Sequence, residues 1–169
     1  MFALPRLARR LAASVLVAGS LAAPALPVLA QSDEPILLTV LNDEGTVLAE
    51  FTLEDLEALP VAEIDTSTNW TDGMQEFTGV PLSALVEAVA PDAKALDLTA
   101  INDYAVTIPR DGWNADYPIL AYRNHGETMS VREKGPLWIV YPYDVSAAYR
   151  TDVIHSRSVW QLDRLRVID

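Results

Sequence analysis

The sequence predicts an α+β domain built on mixed or antiparallel sheet, with strand dominating. Three observations predict it. Short apolar or alternating runs recur along the chain and are closed by Gly, Pro, Asn or Asp. Only two stretches carry helical spacing, and each is shut by a proline. Long polar loops separate the rest, with no internal repeat and no low-complexity segment.

Residues 36–41 form a near-continuous apolar run, Asn42-Asp43-Glu44-Gly45 has turn chemistry, and 47–51 resumes with Val47, Ala49 and Phe51 in alternation, which predicts a β-hairpin. Thr52 followed three residues on by Asp55 has the spacing of a helix N-cap. Leu53, Leu56 and Leu59 then give a short helix one apolar face before Pro60. Residues 61–68 alternate as a half-buried strand and run into a polar loop, 69–76, that carries the isolated Trp70. Pro81 is placed as the first residue of a helix whose Leu82, Leu85, Val86 and Val89 fall at i, i+3, i+4 and i+7. Residues 96–101 and 104–109 read as a second hairpin turning at Asn102-Asp103, whose side chains tolerate tight-turn dihedrals. Residues 111–116 read as loop, 119–122 as strand and 124–127 as turn. Residues 144–155 have no clear period, and 158–162 leads into a closing strand at 165–168.

One stretch concentrates charge beside core. In residues 130–144, Arg132 and Lys134 stand ahead of Gly135-Pro136, which launches Leu137-Trp138-Ile139-Val140-Tyr141 until Pro142 stops it. Five large apolar or aromatic residues in succession suit a strand covered on both faces, so the polar chemistry belongs at its ends.

Residues 1–30 read as a secretory signal peptide: Arg6, Arg9 and Arg10 precede a short apolar core at 11–21, and Val28-Leu29-Ala30 supplies small residues for cleavage before Gln31. Gly19, Pro24 and Pro27 interrupt a run already short of the roughly 20 residues a bilayer needs. Arg9-Arg10 invites a twin-arginine reading, but Leu11-Ala12-Ala13 fits the general secretory route better. Residues 31–169 are then one domain, periplasmic or secreted, with no membrane span after removal of the signal.

All 24 acidic residues lie beyond residue 30, so the exported part is more acidic than the net −12 of the whole chain, which argues against nucleic acid as a partner. The charge is uneven: up to Pro109 the one cation of that part is Lys94, and the others follow from Arg110 onward. There is no cysteine, hence no disulfide framework and no thiolate for a metal. Gly-rich phosphate loops, a nucleophile elbow and zinc spacings around His125 or His155 are all lacking.

The order of several phrases carries further. Phe77-Thr-Gly-Val-Pro-Leu82, Ile101-Asn-Asp-Tyr104 leading into Thr107-Ile-Pro109, His125-Gly-Glu127, Gly135-Pro-Leu-Trp-Ile-Val-Tyr-Pro142 and Arg157-Ser-Val-Trp-Gln-Leu162 follow one another along the chain. Together, from about residue 50 to the end, the chain resembles the oxidoreductase molybdopterin-binding domain of the sulfite oxidase family, and within it the short exported members. The resemblance implies that family's mixed α+β fold, with loops from the sheet surrounding a pterin-bound molybdenum.

Two departures alter what it implies. The cysteine that ligates molybdenum in catalytic members falls near Ser67, and a hydroxyl is a far poorer ligand than a soft thiolate. A lysine and tryptophan of those enzymes are replaced by Trp160-Gln161. The family pocket maps onto Trp70, Asn102, Asp103, Tyr104, Arg132, Lys134, His155 and Arg157. The expectation is a scaffold that has lost its metal ligand and binds a small anionic or aromatic ligand, or a periplasmic partner protein. Arg and Lys suit an anion and the rings suit a planar ligand. The alternative is a molybdopterin-dependent oxidoreductase that holds its cofactor phosphate with Arg132, Lys134 and Arg157. A plainer reading stands beside both: Arg132 and Lys134 as a solvated loop around Glu133, Arg157 paired with a surface carboxylate, His155 as a surface histidine, and Trp138, Tyr141 and Trp160 as core.

Overall fold

The computed structural model describes residues 34–169; the signal-peptide assignment of residues 1–30 lies outside them. Among the described residues two five-stranded sheets carry the fold, with three short α-helices, so the architecture is α+β and mainly β. Among the described residues no helix is long and apolar enough to cross a membrane.

The first sheet has the order β2-β1-β10-β5-β6, from β1 (Leu38–Leu41), β2 (Val47–Phe51), β5 (Ala95–Ala100), β6 (Ala105–Pro109) and β10 (Leu162–Ile168). Both predicted hairpins are here, β1–β2 and β5–β6, each antiparallel. The closing strand lies between them, parallel to β1 and antiparallel to β5, and makes the sheet mixed. In β5 Leu96, Leu98 and Ala100 point into the core while Ala95, Asp97 and Thr99 do not, the period of a strand with one covered face.

The second sheet runs β3-β4-β7-β8, from β3 (Ala62–Ser67), β4 (Met74–Pro81), β7 (Ile119–Asn124) and β8 (Glu127–Thr128), with β9 (Trp138–Val140) paired to β7. β9 is buried along its whole length, as five successive apolar residues require, and its ladder is shorter than the run that predicts it. The 69–76 loop is corrected in its second half. Met74 begins β4, whose Gln75 and Phe77 face inward against exposed Met74 and Glu76. At Gly79 the chain passes so close to β7 that a Cβ would collide with the Leu120 carbonyl and the Ala121 Cα, and the β4–β7 register shifts there.

Helix α1 (Leu53–Glu57) starts as its sequence dictates. The Asp55 amide donates to Thr52 Oγ1 at 3.2 Å and the Thr52 amide donates back to Asp55 Oδ2 at 2.9 Å, a closed capping box. These bonds, the backbone one foremost, hold the Asp55 carboxyl below its ordinary value. Helix α2 (Leu82–Val89) begins one residue after the predicted start, with Pro81 ending β4 and serving as N-cap. Its Leu85, Val86 and Val89 close on Val40, Leu165 and Val167 of the first sheet. The third helix, α3 (Asp152–Arg157), lies in the stretch without period and was not expected; Thr151 caps it by accepting from the Ile154 amide at 3.3 Å.

Candidate functional site

The two sheets are joined by the residues that lead into β10. The Val159 carbonyl accepts from the Ile139 amide at 2.8 Å, Trp160 bridges to Trp138 of β9, and the Leu162 amide donates to the Leu137 carbonyl at 3.0 Å. Between them Gln161 takes a φ of 55°, unusual for a residue with a Cβ. There its amide donates to the Lys134 carbonyl, its carbonyl accepts from the Ile101 amide, and its side chain donates to the Val131 carbonyl at 2.7 Å. One residue in a strained conformation thus ties the β5–β6 turn to the charged 130–134 loop.

The loop after β3 approaches this junction from the other side. Its start is pinned by Asp144, whose carboxylate accepts from the Ser67 amide and, at 2.9 Å, from the Ser67 hydroxyl; these bonds, the backbone one first, lower the Asp144 pKa. The Thr68 hydroxyl then accepts from the Trp70 amide at 3.1 Å, turning the indole inward. Trp70 meets Trp160, His155, Trp138 and Tyr143 edge-on, with centroids at 5.3, 5.6, 6.0 and 6.1 Å. Each such pair contributes roughly 0.5–1.5 kcal/mol beyond its buried area. Below them Tyr143 is buried and donates to the Ser158 hydroxyl at 2.7 Å; burial pushes its own hydroxyl up to about 12, the Ser158 bond opposing the rise.

Trp70, Trp160, His155, Tyr104 and Asn102 surround a cavity of about 310 Å³, completed by Ala100, Ser156, Ser158 and Val159. Four of the eight predicted site residues therefore come together: Trp70, Asn102, Tyr104 and His155. Lys134 stands beside the cavity wall, with Nζ 5.9 Å from the ring centroids of both Trp138 and Trp160, in a left-handed conformation at φ 72°. The other three do not line it. Asp103 binds Arg164 at 2.7 Å, Arg132 is exposed, and Arg157 is half-buried on the far end of α3, against Gly112. Arg157 acts instead on Tyr141, whose hydroxyl is sealed in the core without a partner; burial raises its pKa and the Arg157 charge opposes the rise.

Trp160 is a wall of the cavity, where its sequence context reads as core. Ser156 and Ser158 were also missed, and the Thr151-Asp152 start of a helix was the signal that could have placed them. A larger hollow of about 420 Å³ lies over the outer face of the first sheet; within it Thr107 donates to Asp97, and Arg164 reaches beyond it to Asp103, but no aromatic side chain lines it. The aromatic cavity combines apolar walls with unmatched polar groups, which is the usual make-up of a ligand site.

No protein-family model matches the chain, and a search of curated proteins finds no match either. The donor set itself does not fit a pterin-bound molybdenum. There is no cysteine, the Ser67 hydroxyl donates to Asp144, and none of Arg132, Lys134 and Arg157 lines the cavity to meet a phosphate.

Proposed function

We propose that this chain is an exported binding module on a molybdopterin-oxidoreductase-type scaffold, working without molybdenum catalysis and holding a small planar aromatic ligand in the cavity that Trp70 and Trp160 line together. The observation that carries the proposal is the cavity itself. Four aromatic or heteroaromatic side chains converge from three separate segments on one hollow of ligand size, and two further rings hold Trp70 in place. Trp70 packs edge-on against both Trp160 and His155, and beside them the Asn102 amide hydrogens have no acceptor among the described residues. The ordered phrases from residue 50 onward support the scaffold, and the pattern of residues 1–30 supports a periplasmic or secreted location. A small ligand is favoured over a partner protein, because the aromatic groups line a concavity rather than a flat exposed patch.

The test is chemical analysis of the protein isolated from its own compartment. Mass spectrometry of the denatured extract should release a small aromatic compound near one per chain, and Trp70→Ala protein should release none. Stoichiometric molybdenum with a fluorescent pterin after oxidation would overturn the proposal in favour of a cofactor-bearing oxidoreductase.

A further inference from the structure

The chemistry of the ligand follows from which hydrogens in the cavity wall are already committed. All three hydroxyls are occupied: Tyr104 donates to the Ser156 carbonyl at 2.9 Å, Ser156 to the Val153 carbonyl at 2.7 Å and Ser158 to the Ile154 carbonyl at 2.8 Å. The nitrogens differ. Asn102 uses its Oδ1 to accept from the Tyr104 amide at 3.1 Å, which leaves both Nδ2 hydrogens unused. The His155 ring meets the Asn69 side-chain nitrogen at 3.3 and 3.4 Å, and no acceptor is paired with the indole N–H of Trp70 or Trp160 among the described residues. The free hydrogens of the wall therefore belong to nitrogen, and what they lack is an acceptor.

Charge narrows the class. No Asp, Glu, Lys or Arg lines the cavity and Lys134 stands only beside its wall, so a buried carboxylate or phosphate would find no charge-assisted bond in the lining. The strongly negative chain repels anions at longer range as well. A cationic ring meets Lys134, whose ammonium already occupies the neighbourhood of Trp160 and Trp138. We infer that the cavity selects an uncharged planar ring bearing carbonyl acceptors, the chemistry of quinones and of heterocyclic ring ketones. This rests on the reading of the cavity as a ligand site.

Calorimetric titration with four bicyclic probes of similar size tests it: chromone, naphthalene, 2-naphthoate and a naphthyltrimethylammonium salt. Chromone should bind about tenfold or more tightly than each of the others. In Asn102→Asp, which keeps the acceptor for Tyr104 but removes the Nδ2 donors, the preference for chromone over naphthalene should shrink; an unchanged ratio would contradict the donor argument. If naphthalene or either charged probe binds as well as chromone, the inference falls while the ligand site stands. If none of the four binds, the ligand site falls and takes the inference with it.

Discussion

At the scale of the residue, Trp70 is the wall on which the cavity depends. It touches four other rings, and its removal opens the hollow to solvent on the side of the 67–73 loop. Trp70→Ala should weaken chromone binding at least tenfold by calorimetry, a loss of about 1.4 kcal/mol, whereas Trp113→Phe, which changes a ring stacked under Arg110 elsewhere, should leave it unchanged. Asp144 has a different duty, since it fixes the loop that presents Trp70. Its folded pKa lies below the ordinary 3.8, so its contribution to stability is present above that value and is lost as pH falls through the lower folded one. Glu133, lowered by its bonds to Ser130, and Asp55 add to the same acid limb. Urea unfolding should therefore show Asp144→Asn less stable than the parent at pH 7, with the gap narrowing steadily below about pH 4. A gap of constant size down to pH 2 would remove the Asp144–Ser67 contact from the argument.

At the scale of the element, local sequence explains the parts that build themselves and misses the parts that depend on neighbours. The Thr52–Asp55 box, the apolar stripe of α2 and the two hairpins are written in spacings of a few residues, and all were legible. Strand β4 was not read from the sequence: the Asp72-Gly73 turn signal drew Met74, Gln75 and Glu76 into the loop, although Gln75 and Phe77 alternate inward. Helix α3 has only six residues and no buried one, too little for periodicity to register, so its cap was the one clue. In the site, Trp70, Asn102, Tyr104 and His155 could be named from the sequence. The grouping of Asp103, Arg132 and Arg157 with them failed because loop positions alone do not say which way a side chain turns. Two predictions belong here. Thr151→Ala should cost about 1 kcal/mol in chemical denaturation, and should weaken chromone binding through His155, which α3 carries. Gly135→Ala should prevent correct docking of the 130–134 loop, because a Cβ there collides with the Met129 carbonyl; a thermal melt as high as the parent's would refute that close approach.

At the scale of the whole molecule, the cavity lies where the two sheets share residues. The segment 158–162 bonds first to β9 of one sheet and then enters the other as β10, and the turn between β5 and β6 is tied to it through Gln161. A hollow at such a seam can be lined from three directions without interrupting either core. Neither the seam nor the bridge between Trp138 and Trp160 has a signature in the sequence, since both are contacts between residues far apart in the chain. The central claim is that this seam holds a planar ligand, and it has a direct readout in the four tryptophans. In a nitrogen-15 NMR titration with chromone, the indole N–H signals of Trp70 and Trp160 should shift in a saturable manner while that of Trp113 stays in place. Signals of Trp70 and Trp160 that remain unmoved at saturating chromone, or a shift confined to Trp113, would contradict it.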